Sequence, residues 1–489
     1  MKNITSKILL VSLLCMIAAQ SAACGDSQQP SGGDTQTTES SAPETEKPYA
    51  DNLGDYDFGG KYFTMLIRVS RADDLCPEEA TGDVVNDAIY NRNTKIADRF
   101  NVNIKSITLD DDSSLWNKAL EGDVMSNTGD YDLVMPDYWW GCETRGYFLN
   151  LNDYDVLDFS QPYWCAGWND SAEIYGQLYC AVGSMSLDLI KNNIAMYFNK
   201  EMIEDLKLED PYELVRSGKW TLDKLNEMAS AALADLNGDS KYELGNDRIG
   251  FTFDLQAGRA LLPSCGMKIA TRTADNSYEY AFMNDKFVEM YEKVFNLVNK
   301  SEYSVYSSGN IETLQGADVY SIFKGGYVLF LGSGIRGTDN LRDMTTDYGI
   351  IPYPMYDENQ DSYYTFNYGT PYMSILLSAK DPEMTAVMLE ALNAESYKSV
   401  VPTYLDTALK GKYSRDAETA EMLDLVNSTS FFDFTFVNET STGHIVMWFF
   451  DRIAAKQENI ASLYESNRQS FEKQLNTLLE TYKEAADAN

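Results

Sequence analysis

Two arginines and one acidic-aromatic cluster carry the chemistry that this sequence offers. Arg68 and Arg71 close the apolar run Tyr62–Val69, and Pro136-Asp137-Tyr138-Trp139-Trp140 closes a second run, Tyr131–Met135. Both places are predicted carboxyl ends of buried strands, where open α/β sheets present their ligand-binding groups. Aromatic rings cover the apolar C–H faces of a polyhydroxylated ligand, while carboxylate and guanidinium pair with its hydroxyls in a fixed fork. Asp137, Tyr138, Trp139 and Trp140 fit the first wall of such a site, with Arg68 and Arg71 as donors to hydroxyls or to an acidic group. The alternative for each tryptophan is a place in the core, and for each arginine a surface ion pair.

A second cluster spaces oxygen side chains at every other position: Asp235, Asn237, Asp239, then Lys241 offering its carbonyl, with Glu243 or Asp247 to close the shell. Hard cations need many oxygen ligands at one point, and a D-x-N-x-D turn delivers them. The spacing predicts a structural Ca²⁺ site that departs from an EF-hand, with Ser240 in place of the usual glycine and Asn246 in place of the usual glutamate. The alternative is an Asx-rich turn without metal.

These residues need a scaffold. Tyr62–Val69 reads as a strand buried on both faces, and Val85, Ile89, Ile96 and Phe100 share one helical face behind Asp83. Val102–Ile107 alternates like a strand, a helix runs around Trp116–Met125, and Tyr131–Met135 is a short buried strand. Strand and helix in alternation predict a doubly wound α/β sheet. Ile194–Phe198, Tyr327–Leu331 and Tyr348–Ile351 are further strands. Thr221 caps a helix over Asp223–Ala234, and Phe471, Leu475, Leu478 and Tyr482 form one face of a C-terminal helix.

The N-terminus sets the compartment. Lys2 and Lys7 precede an apolar run, Ile8–Ala19, that is too short to span a bilayer, and small residues lead to Cys24. This is the layout of a secretory signal. Ser21-Ala22-Ala23-Cys24 resembles the lipobox of bacterial lipoproteins, with Ser21 where Leu is usual; the resemblance implies cleavage after residue 23 and a lipid on Cys24. The alternative is ordinary cleavage that leaves Cys24 free. From Gly25 to about Lys47 the chain is rich in Ser, Thr, Gly, Gln and Pro and cannot bury a core. A tether of that length reaches roughly 25–30 Å.

Composition narrows the partners. With 75 acidic and 39 basic residues and a net charge of −36, nucleic acid and anionic lipid surfaces are repelled. The lone histidine, His444, speaks against histidine-rich zinc capture or a histidine triad. Cys76, Cys142, Cys165, Cys180 and Cys265 lack C-x-x-C spacing and read as buried thiols.

Several segments, in order, are similar to the extracellular solute-binding proteins of sugar ABC importers, the group that includes maltose-binding protein. They are Tyr131–Val134 followed by Gly146–Leu151, Gly176–Val182, Met196–Glu201, Trp220–Leu225, Phe323–Gly326, Tyr348–Pro354 and Lys380–Pro382. The resemblance covers about residues 58 to 395. It implies a two-lobe periplasmic-binding-protein type II fold, with doubly wound sheets joined by hinge crossings and a helical tail. Lobe 1 is expected over 48–190 plus about 360–398, and lobe 2 over 191–359 plus about 399–440. Helices over 441–489 would pack on the lobes. Crossings are expected near Gly183–Ile194, Met355–Phe366 and Val401. The resemblance also implies ligand contacts from Trp164, Trp168, Ser184 and the Gly332-Ser333-Gly334 turn. The implied function is capture of a carbohydrate in an interlobe cleft and delivery to membrane permease subunits, by a lipid-anchored monomer that does no chemistry. The rival readings are a surface glycan-binding adhesin, an importer subunit for peptides, and a glycoside hydrolase. The last would need two cleft carboxylates about 5–10 Å apart, and the sequence carries no G-x-S-x-G elbow or Walker loop.

Overall fold

A computed structural model describes residues 51–307, 318–406 and 416–488. Cys24 and the linker lie outside the described residues. The first lobe begins with β1 (Lys61–Arg68), buried from Phe63 onward. Next comes α1 (Val84–Phe100), which Asp83 starts by accepting from the Val85 and Asn86 amides; it ends at Asn101 with φ 51°. β2 (Val102–Leu109) pairs parallel with β1, Lys61 opposite Val102 and Arg68 opposite Leu109. Helix α2 (Ser113–Ser126) is capped by Asp112 and leads to β3 (Leu133–Val134), which flanks β1 on its other edge. The order β2-β1-β3 makes a parallel sheet, extended by antiparallel bridges from Val134 to Ser374 and from Met373 to Ala181. Helix α3 (Ala166–Ala172) packs beneath.

The chain leaves this lobe through the short helix α4 (Asp188–Lys191) and enters β4 (Ile194–Asn199). The second lobe then adds α5 (Leu222–Ala232), whose cap Thr221 accepts from the Lys224 amide at 3.3 Å. β5 (Ile249–Phe253), α6 (Leu255–Arg259) and the hairpin β6 (Ala270–Arg272)–β7 (Tyr278–Tyr280) follow. Helix α7 (Asp285–Asn299), β8 (Ser304–Tyr306), β9 (Val328–Gly334) and β10 (Tyr348–Ile351) complete the lobe. Its sheet runs β10-β4-β9-β5-β8. This second sheet is mixed. β5 pairs parallel with β8 and β9, but β4 runs antiparallel to β9 and to β10. β4 arrives from the other lobe and not through a strand–helix–strand crossover, the connection that joins parallel neighbours.

The return passes β11 (Thr365–Phe366), where Asn367 bridges Asn193 of the outgoing crossing. It then reaches α8 (Pro382–Glu395) in the first lobe. After a π-helical stretch, Ser396–Val400, the chain reappears in α9 (Ala417–Ser428), which packs on β10. β12 (Ser430–Phe431) pairs with β11, and α10 (Ile445–Ala454) contacts α6 and α7. The last helix, α11 (Ile460–Ala488), buries Leu475, Leu478, Leu479 and Tyr482. Those four pack with Ile174 and Tyr179 of the first lobe and with Tyr278 and Tyr280 of the hairpin, so the tail spans both lobes. Among the described residues, no helix is long and apolar enough to cross a membrane.

Candidate functional site

The carboxyl ends of β1 and β3 place Arg68 and Asp137 side by side. Arg68 Nη1 donates to Asp137 Oδ2 at 2.7 Å, and both residues are buried. The guanidinium carbon lies 5.8 Å from the centre of the Trp140 ring, which rests 5.3 Å from Trp116. Arg68 Nε is buried with no hydrogen-bond partner. Tyr138 is in the core and donates to the Tyr368 carbonyl at 2.9 Å. Burial pushes its phenol well above the usual range, with Asp137 and Glu439 adding to that and Arg259 opposing it. The side chain of Trp139 lies outside the described residues.

Asp188, the first residue of α4, is the electrostatic centre of the hinge. Only 1% of its side chain is exposed. Its two oxygens accept from Arg71 Nε and Arg336 Nη2, each at 2.6 Å, and Arg68 Nη2 stands 3.7 Å away. Arg71 follows β1 of the first lobe and Arg336 follows β9 of the second, so this carboxylate ties both lobes to the crossing. Burial works to lower the Arg71 pKa; Asp188, with Asp74 and Tyr368, more than offsets that, and the group ends raised. Arg336 Nε also reaches Asn192 Oδ1 at 2.9 Å.

In the second lobe, Asp254 and Ser333 lie at the carboxyl ends of β5 and β9. Asp254 follows Phe253 and accepts from the Ala257 amide at 2.9 Å; burial raises its carboxyl pKa. Ser333 is buried, and its hydroxyl shares a 2.7 Å hydrogen bond with Tyr320. Burial pushes the Tyr368 phenol up to about 12, and its hydroxyl feels Arg336, Asp188, Arg71 and Asp254. The Tyr368 amide donates to the Asn192 carbonyl at 3.1 Å, beside the crossing. Arg259 pairs with Asp451 at 3.1 Å.

Arg68, Asp137, Tyr138 and Trp140 thus come together at the ends of β1 and β3, with Arg71 beside Asp188 at the crossing and Ser333 buried in β9 of the second lobe. Ser184 is half-buried on the crossing, its amide bonded to the Tyr163 carbonyl at 2.8 Å. Trp164 and Trp168 are packed into the first lobe. Trp164 Nε1 donates to Glu390 at 3.0 Å, while the Trp168 ring lies 6.2 Å from Tyr372 with 1% of the residue exposed. Both residues are buried. Asp188, Asp254, Arg259, Tyr320, Arg336 and Tyr368 went unpredicted. Asp254 carries a usable signal, an acid directly after a buried strand, as Asp137 does. Asp188 carries none.

The 235–247 turn spends its oxygens on its own backbone. Asp235 accepts from the Gly238 and Ser240 amides, Asn237 from Asp239, Asp239 from Lys241, and Asp247 from Leu236 and Glu243. Among the described residues, no group of three or more His, Cys, Asp or Glu side chains is placed to hold a metal ion.

Two α/β lobes, joined by crossings and walled by strand ends, define the two-lobe solute-binding fold. Solved structures share it along nearly their whole length. The cyclic α-maltosyl-1,6-maltose binding protein of Arthrobacter globiformis has a TM-score of 0.54 at 16% identity over 88% of this chain and 100% of its own. The galacto-N-biose-/lacto-N-biose I-binding protein of the Bifidobacterium longum ABC transporter gives 0.54 at 14%, over 84% and 98%. An ABC substrate-binding protein of Listeria monocytogenes in complex with cycloalternan gives 0.51 at 12%, over 87% and 99%. No protein-family model matches the sequence, and no curated protein matches it.

Proposed function

We propose that this chain is the extracellular solute-binding subunit of an ABC importer. In this reading a lipid on Cys24 tethers it to the outer face of the cell membrane. It captures a carbohydrate between its lobes as a monomer, without chemical conversion, and delivers it to permease subunits. The observation that carries the reading is the Arg68–Asp137 pair at the ends of β1 and β3, set beside the Trp140 ring. That is the donor, acceptor and apolar face that a sugar ring requires. The sugar ligands of the three structural neighbours support the same cargo class. The tether rests on Ser21-Ala22-Ala23-Cys24 and the polar linker behind it.

A thermal-shift panel of mono- and oligosaccharides and short peptides tests the cargo. A ligand at 100 times its dissociation constant stabilises the fold by about 2.7 kcal/mol. A shift with one sugar class, lost in Trp140→Ala and Asp137→Ala, is expected; a shift with peptides alone replaces the cargo. Structural calcium in the 235–247 turn is a separate proposal that rests on residue spacing. Equal melting temperatures in calcium and in chelator would remove it.

A further inference from the structure

The three parallel strands of the second lobe end level with one another. Phe253 closes β5 opposite Tyr306 of β8 on one side and Gly332 of β9 on the other. Asp254 therefore follows at the same edge as Ser307 and Ser333, and open α/β sheets bind their ligands at that carboxyl-terminal edge. Half-buried tyrosines gather there. Tyr306 stacks on Phe253 at 5.6 Å, the Tyr320 hydroxyl meets Ser333 at 2.7 Å, and a Cβ on Gly334 would lie 3.1 Å from the Tyr368 ring.

Two lines of contact join this edge to the Arg68–Asp137 pair. Arg336, just beyond β9, donates to Asp188 at 2.6 Å, and Arg68 Nη2 stands 3.7 Å from the same carboxylate. Tyr138, next to Asp137, donates to the carbonyl of Tyr368 at 2.9 Å. The strand ends of both lobes thus converge on one crossing.

Among the described residues, no lysine or arginine pairs with Asp254. Arg259 of α6 pairs instead with Asp451 at 3.1 Å, and Arg336 with Asp188. The Asp254 carboxylate caps α6 by accepting from the Ala257 amide, and it is half-buried. Burial raises its pKa against the pull of the Ala257 and Gln256 amides. Beside it Tyr353 is 1% exposed, and its hydroxyl lies so close over Gly332 that a Cβ there has no room. That hydroxyl has no hydrogen-bond partner among the described residues. The edge holds an acceptor without a cation and a donor without an acceptor, and a sugar hydroxyl is both donor and acceptor.

We propose that Asp254 is the second lobe's ligand-binding carboxylate, accepting from hydroxyls of the sugar that Arg68 and Asp137 bind. This rests on the carbohydrate reading of the cleft. An unpaired carboxylate at the contact takes donated hydrogens and repels an acidic ring, so the cargo is a neutral sugar and not a uronic acid. The test is calorimetric titration of the full chain with maltotriose, cellotriose, galactotriose and trigalacturonic acid. A neutral trimer should bind most tightly. Asp254→Asn should weaken that trimer by about tenfold, since a charged acceptor is roughly twice as strong as a neutral one. Its melting temperature should stay unchanged, because asparagine caps a helix as well as aspartate does. The gap between the neutral trimer and trigalacturonic acid should narrow in the variant. Parent-like affinity in Asp254→Asn, or trigalacturonic acid binding the parent more tightly than every neutral trimer, overturns the assignment and leaves the cleft reading intact. Affinity lost together with melting temperature also overturns it, and assigns Asp254 to the fold alone. No binding of any of the four overturns the cleft reading, and the Asp254 assignment falls with it.

Discussion

Replacing Asp188 with asparagine removes one negative charge from a site that holds two guanidiniums at 2.6 Å and a third at 3.7 Å. The side chain is 1% exposed, so water does not take over. Breaking a buried ion pair by deleting one partner costs about 3–5 kcal/mol, because the remaining charge stays buried and unpaired. Unfolding entropy of about 2.1 cal/mol/K per residue, taken over roughly 440 residues, makes each kcal/mol worth about 1 °C. Asp188→Asn should therefore melt about 3–6 °C below the parent in scanning calorimetry. Asp223→Asn, which breaks an exposed pair with Lys293, should move it by less than about 1 °C. Adding Arg336→Met to Asp188→Asn should cost less than the two single changes summed, since they share one interaction. A melting temperature for Asp188→Asn within about 1 °C of the parent would refute the reasoning. It would mean that solvent reaches the hinge cluster.

Two further perturbations follow from the same structure. Burial pushes the Glu439 carboxyl up to about 8, against the Met447 and Val446 amides that pull it down; Arg259, His444 and Asp451 surround it. An acid whose folded pKa lies above its unfolded value of 4.5 stabilises fully below 4.5 and loses that contribution as pH rises through 8. The parent should lose more melting temperature between pH 5 and pH 9 than Glu439→Gln does, and equal slopes would contradict the burial argument. At Gly250 in β5, a Cβ would stand 2.1 Å from the Ala229 carbonyl oxygen of α5. Gly250→Ala should cost about 1–3 kcal/mol by overpacking, read as a lowered denaturation midpoint.

What the sequence shows and what it hides divide along one physical line. The β1 run, the Ile89-Ile96-Phe100 face of α1, the Thr221 cap and the Leu475-Leu478-Tyr482 face of α11 are local patterns, and each lies where its periodicity put it. Arg68 and Asp137, read as polar residues at the ends of apolar runs, lie at those strand ends and pair with each other. The Asp188 cluster joins residues 117 and 148 positions apart, and no local pattern announces such a meeting. Trp164 and Trp168 show the reverse: the resemblance implies ligand contacts, while Glu390, a distant residue on α8, holds Trp164 inside the lobe. The Asp235 loop is ambiguous because oxygens at every second position suit a cation and an Asx turn equally.

The central claim, that the cleft between the lobes captures a carbohydrate through Arg68, is tested most directly by calorimetric titration of the parent and of Arg68→Met. The titrant is the saccharide that gives the largest thermal shift. The account predicts one site per chain in the parent and a loss of about a hundredfold in affinity in the variant, the cost of removing a charged hydrogen-bond partner. Unchanged affinity in Arg68→Met would contradict it.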